Sequence, residues 1–100
     1  MGKIRVGIRN TELIVYGDTY RVKEELKEKG FKWDPKDKVW YRDLKPLSRD
    51  ERHSIILGVM DLDPQNTIVL TEVMDLLPNK KIIQWYEKHN MDVPFWVQMM

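Results

Sequence analysis

The sequence predicts an α+β fold: an antiparallel sheet of two β-hairpins joined by a helix (ββαββ), followed by two or three helices. Residues 3–9 alternate between apolar and polar types, and strand-forming runs flank a turn at 34–38. After residue 47 the apolar residues recur at helical spacing. With 100 residues, 42% hydrophobic and 33% charged, we expect a single domain over 1–100. Its parts are a basic unit, 1–47, and a helical half with a hydrophobic tail, 48–100.

The first hairpin is predicted from strict alternation. Ile4, Val6 and Ile8 would face the core, and Arg5 and Arg9 would face outward. The turn is expected at Asn10-Thr11, and the returning strand at Glu12–Tyr16.

A helix is expected after this hairpin. Asp18 or Thr19 would cap it, Val22 and Leu26 would lie on its buried side, and it would run to Lys29. Gly30 is expected to end the helix, since glycine commonly follows the last residue of a helix.

The segment 30–42 combines four aromatic with four basic residues around an Asp-Pro-Lys-Asp-Lys turn, which indicates a second hairpin. A loop of three residues, which we favour because it buries no charge, places Phe31, Trp33, Val39 and Tyr41 on the core face and Lys32, Lys38, Trp40 and Arg42 on the other. A loop of four residues aligns Phe31, Trp33, Trp40 and Arg42 instead, with Lys32 beside Tyr41. The favoured register predicts that Trp33 packs in the core and that Trp40 is exposed between Lys38 and Arg42.

The second half is predicted to be helical. Ser48 and Glu51 form a capping-box pattern ahead of a helix to about Met60. The segment 67–77 fits either type: Thr-Ile-Val-Leu-Thr favours a strand, and its length and acidic spacing favour the helix that we choose. A last helix is expected over Lys80–His89.

Catalysis is not expected, since the chain has no cysteine, no Gly-rich phosphate loop and no zinc-binding histidine pair. We therefore predict no enzyme, no cofactor and no metal site. His53 would be a surface or boundary residue, and Asp61 with Asp63 a solvated turn. No signal peptide or membrane-length apolar run occurs, so a cytoplasmic location is expected. High Lys and Glu without Cys is typical of thermophiles.

Charge and aromatic content together favour a binder of single-stranded nucleic acid with little sequence specificity. Residues 1–47 carry 12 Lys and Arg against 8 Asp and Glu, whereas residues 48–100 carry 5 against 8. Aromatic rings would stack on bases, and cations would contact phosphates. The candidate residues are Arg5, Arg9, Phe31, Lys32, Trp33, Lys38, Trp40, Tyr41 and Arg42.

A protein-interaction module or inhibitor is the alternative function. The tail segment 93–97 is too apolar to be left in water, and 79–86 is similar to the sliding-clamp-binding peptide pattern, with Asn79 in place of the leading Gln. A replication or repair protein would be the partner. The candidate interface residues are Ile82, Trp85, Tyr86, Phe95 and Trp96.

The pattern Leu26, Gly30-Phe31-Lys32-Trp33-Asp34-Pro35, Lys38, Trp40-Tyr41 within residues 19–42 resembles the HARP-type modules of DNA-processing enzymes. It is also similar to the ThermoDBP-related single-stranded DNA-binding proteins of heat-loving archaea. The resemblance implies an α+β domain with an aromatic and basic cleft, and subunits assembled around single-stranded DNA; the residues themselves leave RNA open as an alternative ligand. It points to Phe31, Trp33, Trp40 and Tyr41 with Lys32, Lys38 and Arg42. The chain has no long C-terminal leucine heptad, so a homo-oligomer would use the region 82–96.

Overall fold

The computed structural model describes residues 2–93 and confirms the α+β class. Its five-stranded sheet has the order β3-β4-β2-β1-β5. The strands are β1 (Ile4–Arg9), β2 (Glu12–Gly17), β3 (Lys32–Asp34), β4 (Val39–Asp43) and β5 (Thr67–Val69). The first four pair antiparallel, but β5 pairs parallel with β1. The sheet is therefore mixed, and the expectation of a purely antiparallel sheet was wrong.

Four α-helices occur in the part of the chain that the structure describes: α1 (Lys23–Glu28), α2 (Arg49–Met60), α3 (Thr71–Met74) and α4 (Asn79–Lys88). A 3₁₀ turn, Tyr20–Val22, leads into α1. Thr19 precedes that turn without a side-chain capping bond, so the expected cap is absent there. The capping box of α2 is confirmed, since Ser48 Oγ accepts from the Glu51 N–H at 3.2 Å and Glu51 Oε1 accepts from the Ser48 N–H at 3.1 Å.

The helix expected over 67–77 forms only in part. Residues Thr67–Val69 are the strand β5, and the helix is restricted to Thr71–Met74. Strand pairing prevails because β5 completes the otherwise open edge of β1, with Ile4 opposite Thr67 and Val6 opposite Val69.

One face of the sheet, here called the inner face, packs on the helices. Ile4, Val6, Leu13 and Val15 project from it and are essentially fully buried. From the helices, Leu26, Ile56, Met60, Val73 and Ile82 join the same core. The opposite, outer face carries Arg5, Tyr16, Lys32 and Tyr41, as the strand register requires.

Helices α2 and α4 run parallel, since His53 pairs with Lys81 and Asp61 with His89 at the same sequence separation. His53 is buried, so the prediction of a surface or boundary residue was wrong. Its Nδ1 lies 3.2 Å from Lys81 Nζ. A lysine ammonium can only donate, so this ring nitrogen accepts, and the buried ring has a polar partner.

The second hairpin adopts the four-residue loop, so the favoured register was wrong. Trp33 lies opposite Trp40, and Lys32 lies opposite Tyr41. Asp34 Oδ1 accepts the N–H groups of Lys36 at 3.0 Å and Asp37 at 3.3 Å, which shapes the longer loop.

This register places the charged side chain of Arg42 on the inner face of the sheet. The Arg42 guanidinium is half-buried there and donates a hydrogen bond to the carbonyl of Lys29 just past α1. This hydrogen bond and the remaining exposure reduce the cost of placing the guanidinium on the inner face.

The exposure of the two indoles of this hairpin is the reverse of the prediction. Trp40 is 7% exposed and belongs to the core, whereas Trp33 is 45% exposed. Both project from the inner face, but β4 lies inside the sheet and β3 is an edge strand. The ring on the edge strand is therefore the one that solvent reaches.

Trp40→Ala is expected to lower the free energy of unfolding by about 3–5 kcal/mol, because it leaves a cavity in the core. Tyr20→Ala, which removes a ring that is 75% exposed, should change it by less than about 0.5 kcal/mol. Urea denaturation of both variants measures the difference. Equal stabilities would contradict the placement of Trp40.

Candidate nucleic-acid interface

A groove lies between α1 and the β3–β4 edge of the sheet, with a volume of about 500 Å³. We call it the aromatic groove. Its lining residues are Gly17, Asp18, Thr19, Tyr20, Lys23, Lys27, Trp33 and Trp40. It combines three aromatic rings with two lysines and one carboxylate, and it is the place where the exposed indole of the second hairpin lies.

The indole surface of the groove consists of Trp33 packed on Trp40. Their ring centroids are 5.3 Å apart and the ring planes are tilted by 54°. The buried Trp40 thus supports the exposed Trp33. Trp33 presents a large apolar surface on a well-packed base.

Tyr20 and Lys23 interact at the helical wall of the groove. The Lys23 ammonium lies 4.0 Å from the centroid of the Tyr20 ring, a cation–π distance. Lys27 follows one helical turn later, about 6 Å along the axis. The Lys27 ammonium also lies 3.5 Å from the Glu24 carboxylate. This ion pair is exposed and contributes little to stability.

The loop 17–19 closes the groove at the end of β2. Gly17 has a φ of +91°, and a Cβ there would collide with the carbonyl oxygen of Lys3. The Asp18 N–H donates to that same carbonyl at 3.1 Å, and the Thr19 N–H donates to the Gly17 carbonyl at 2.9 Å. The backbone that carries Asp18 is therefore fixed.

Arg9, expected to face nucleic acid, is bound by the protein itself. Its guanidinium pairs with Glu12 at 2.9 Å, Asp34 at 2.9 Å and Asp37 at 2.7 Å. It also lies 5.5 Å from the centroid of the Tyr41 ring on the outer face. Hydrogen bonds to Glu12 and Asp34 raise the pKa of Arg9 above its ordinary value. We call this set the Arg9 clamp; it fastens the first hairpin to the second.

Two of the other predicted residues are taken up by the fold. Phe31 is buried, and Arg42 donates to the Lys29 carbonyl.

The remaining predicted cations are exposed but lie away from the groove. Lys38 is exposed in the hairpin loop. Arg5 and Lys32 are exposed on the outer face, on the side of the sheet opposite Trp33. Of the predicted aromatic residues, the groove brings together only Trp33 and Trp40.

Lys23 and Lys27 are groove residues that were not predicted from the sequence, and Tyr20 was not assigned to a surface. A signal for them was present, because Tyr20, Lys23 and Lys27 recur at helical spacing and so share one side of the segment. What was missing was the position of that side relative to Trp33, which depends on tertiary packing.

The predicted partner-binding residues are largely internal. Ile82 and Trp85 are buried, and the Trp85 Nε1–H donates to Asp61 Oδ1 at 2.7 Å. Tyr86 is half-buried, and burial raises the pKa of its hydroxyl. Phe95 and Trp96 lie outside the described residues.

Asp61 joins α2 to α4 through this network. Its Oδ1 also lies 2.8 Å from His89 Nε2, and its Oδ2 lies 3.7 Å from Lys88 Nζ. Partial burial acts to raise the pKa of Asp61, but the hydrogen bonds from His89 and Trp85 outweigh it and lower the pKa. This carboxylate therefore has a structural role.

Because of the Arg9 clamp, we expect the folded protein to lose stability at acidic pH. Hydrogen bonds from Arg9, and then from the backbone of Asp37, lower the pKa of Asp34 below its ordinary value of 3.8. Its stabilising contribution is therefore present at neutral pH and is lost as the pH falls through the lowered value.

We expect Asp34→Asn to be less stable than the original chain at pH 7, with the difference narrowing as the pH falls below about 4. Urea denaturation at pH 7 and pH 3 measures both chains. Asp75→Asn, at an exposed aspartate outside the clamp, is the control. A stability difference between Asp34→Asn and the original chain that stays constant with pH would contradict the lowered pKa of Asp34.

No helix within residues 2–93 is long and apolar enough to cross a membrane. Nor does that part of the chain contain three or more His, Cys, Asp or Glu side chains grouped to hold a metal. Protein-family models, curated proteins and solved structures give no match to this chain. The ligand of the aromatic groove is therefore inferred from the residues that line it.

Proposed function

We propose that this protein binds single-stranded nucleic acid, with bases stacked on Trp33 and Tyr20 and phosphates held by lysines. The observation that carries the proposal is the lining of one groove by two exposed aromatic rings and two lysines. This combination is what sequence-tolerant binders of single strands use. The resemblance of residues 19–42 to modules of DNA-processing proteins favours DNA over RNA.

Stacking explains why the ligand would be single-stranded. The bases of a duplex are stacked on each other, and their faces are not free for a protein ring. An unpaired base can lie against the exposed indole of Trp33, which Trp40 supports from below at 5.3 Å between ring centroids. Most of the stacking energy is independent of which base is bound.

Electrostatics explain which side of the groove the phosphates would occupy. Lys23 and Lys27 both belong to α1, whereas the indoles belong to the hairpin. One helical turn separates the two lysines, a spacing comparable with that of neighbouring phosphates in an extended strand. A strand running along α1 would turn its bases toward Trp33.

Trp33→Leu is expected to weaken binding of fluorescein-labelled oligo-dT about 5- to 150-fold, because stacking on one base contributes about 1–3 kcal/mol. Trp33→Phe should retain most of the affinity. Fluorescence anisotropy measures the dissociation constants, and circular dichroism checks the fold.

The matched control is Tyr16→Leu, which removes an aromatic ring from the outer face of the sheet. It should leave the affinity unchanged. An unaltered affinity in Trp33→Leu, or an equal loss in Tyr16→Leu, would contradict stacking in the groove.

Lys23→Gln and Lys27→Gln should each make the log–log salt dependence of binding less steep by about 0.7, the contribution of one phosphate contact on a single strand. Titration with oligo-dT at several salt concentrations gives the slope. Lys45→Gln removes an equal charge at the opposite end of β2 and should leave the slope unchanged. A uniform effect of all three variants would indicate attraction by net charge alone.

A further inference from the structure

A second pocket, here called the basic pocket, lies beside the first turns of α2 and has a volume of about 260 Å³. Its lining residues are Leu47, Arg49, Arg52, His53 and Leu76. The lining thus combines two guanidinium groups and an imidazole with two leucines, and it includes no carboxylate. Such a lining suits a ligand that has an anionic end and an apolar end.

The basic pocket is separate from the aromatic groove. The Leu44 N–H donates to the Thr11 carbonyl at 2.9 Å, so the chain that leads into α2 lies against the turn between β1 and β2. The aromatic groove is closed by Gly17, at the other end of β2. Six residues of strand separate the two ends by about 20 Å. An inference about the basic pocket is therefore independent of the proposed function.

Arg52 is held in the wall of the basic pocket by the loop before α2. Its Nε donates to the Leu44 carbonyl at 2.8 Å, and its Nη2 donates to the Lys45 carbonyl at 3.1 Å. Both hydrogen bonds use the side of the guanidinium that carries the Nε–H. The end of the guanidinium, where Nη1 and Nη2 each have an N–H left, makes no bond to residues 2–93. This fork is the arrangement that binds two oxygens of one oxyanion.

His53 supplies a donor that is oriented from inside the protein. The residue is 5% exposed, and its Nδ1 accepts from the Lys81 ammonium. An imidazole that accepts at Nδ1 carries its hydrogen on Nε2. Nε2 has no partner in the described part of the chain, although every buried side-chain nitrogen there has one. The Nε2–H therefore lies in the small part of the ring that stays accessible, where His53 lines the basic pocket.

Arg49 adds a second guanidinium to the same side of α2. Residues three and four positions apart are neighbours on a helix, so Arg49, Arg52 and His53 project together. Arg49 is exposed and forms no ion pair within residues 2–93. The carboxylates of the first turn, Asp50 and Glu51, are outside the pocket lining, and Glu51 is engaged in the capping box. The positive charge of the pocket is therefore available to an anion.

We propose that the basic pocket binds a phosphate monoester that carries an aliphatic group. At pH 7 such a phosphate has a charge of about −1.5 to −2 and three strongly accepting oxygens. These match the two guanidinium groups and the Nε2–H of His53. A carboxylate brings one charge and two oxygens, and it would leave one guanidinium without a counter-charge.

The leucines of the basic pocket would contact the aliphatic group. Leu76 keeps 42% of its surface exposed, and Leu47 is half-buried. Both line the pocket together with the cations. An aliphatic group that covers them removes apolar surface from water, which inorganic phosphate does not do.

The test is an NMR titration of the full, isotopically labelled chain with butyl phosphate, which has no ring to stack on Trp33. The backbone amide signals of residues 47–53 should shift and saturate, while that of Trp33 stays in place. Inorganic phosphate lacks the aliphatic group, and pentanoate has the same butyl group on a carboxylate. At constant ionic strength each should bind about 3-fold or more weakly than butyl phosphate.

Two variants examine the cationic residues and one is a control. Arg49→Gln should weaken the binding of butyl phosphate about 3-fold or more, because it removes an unpaired charge. His53→Asn leaves an amide oxygen to accept from Lys81 but removes the Nε2–H, so it should also weaken binding. Arg5→Gln removes an equal charge from the outer face of the sheet and should leave the affinity unchanged.

Four results would overturn the proposal. They are the absence of saturable shifts at residues 47–53, an equal loss of affinity in Arg5→Gln, binding of pentanoate as tight as that of butyl phosphate, and equally tight binding of inorganic phosphate. If His53→Asn does not fold, Arg49→Gln decides, because its side chain is exposed. Binding of oligo-dT tests the proposed function separately.

Discussion

The guanidinium of Arg42 donates to the carbonyl of Lys29, and the arrangement of the aromatic groove depends on this contact. It gives a cation on the inner face of the sheet a partner, and it does so at the C-terminal end of α1, where carbonyl groups lack helical partners. The second hairpin can then take the four-residue loop. That register turns both indoles toward the side of α1 that carries Lys23 and Lys27.

The two faces of the sheet consequently differ in which aromatic and basic side chains a ligand can reach. On the outer face, the Arg9 clamp neutralises one guanidinium with three carboxylates. Toward α1, the edge strand leaves Trp33 half exposed while the core covers Trp40. Aromatic and basic residues that look equivalent in the sequence are thus separated into structural and accessible sets by strand order and ion pairing.

Local signals in the sequence predict much of this fold. Alternation gives the first hairpin with its Asn10-Thr11 turn, the Ser48 and Glu51 pattern gives the start of α2, and periodicity gives α4 within one residue at each end. These features depend on neighbours within a few positions. The strand β5 was missed because it depends on the open edge of β1, more than sixty residues away.

The candidate site was harder to predict for the same reason. The hairpin register depends on Arg42 meeting a carbonyl thirteen residues earlier, and the exposure of Trp33 depends on β3 being the outermost strand. Neither fact is encoded in the hairpin itself. The basic and aromatic character of the segment was visible, but the side chains that surround its exposed ring come partly from Tyr20, Lys23 and Lys27.

The contact between Lys23 and Tyr20 has a consequence for selectivity. One face of the tyrosine ring is already occupied by an ammonium group 4.0 Å from its centroid. A base that takes this face must displace the ammonium, which loses its interaction with the ring and has to find another. A nucleotide brings its own anion to receive that cation, whereas an uncharged nucleoside does not. Displacing the ammonium from this ring is therefore less costly for a ligand that carries a negative charge than for an uncharged aromatic molecule.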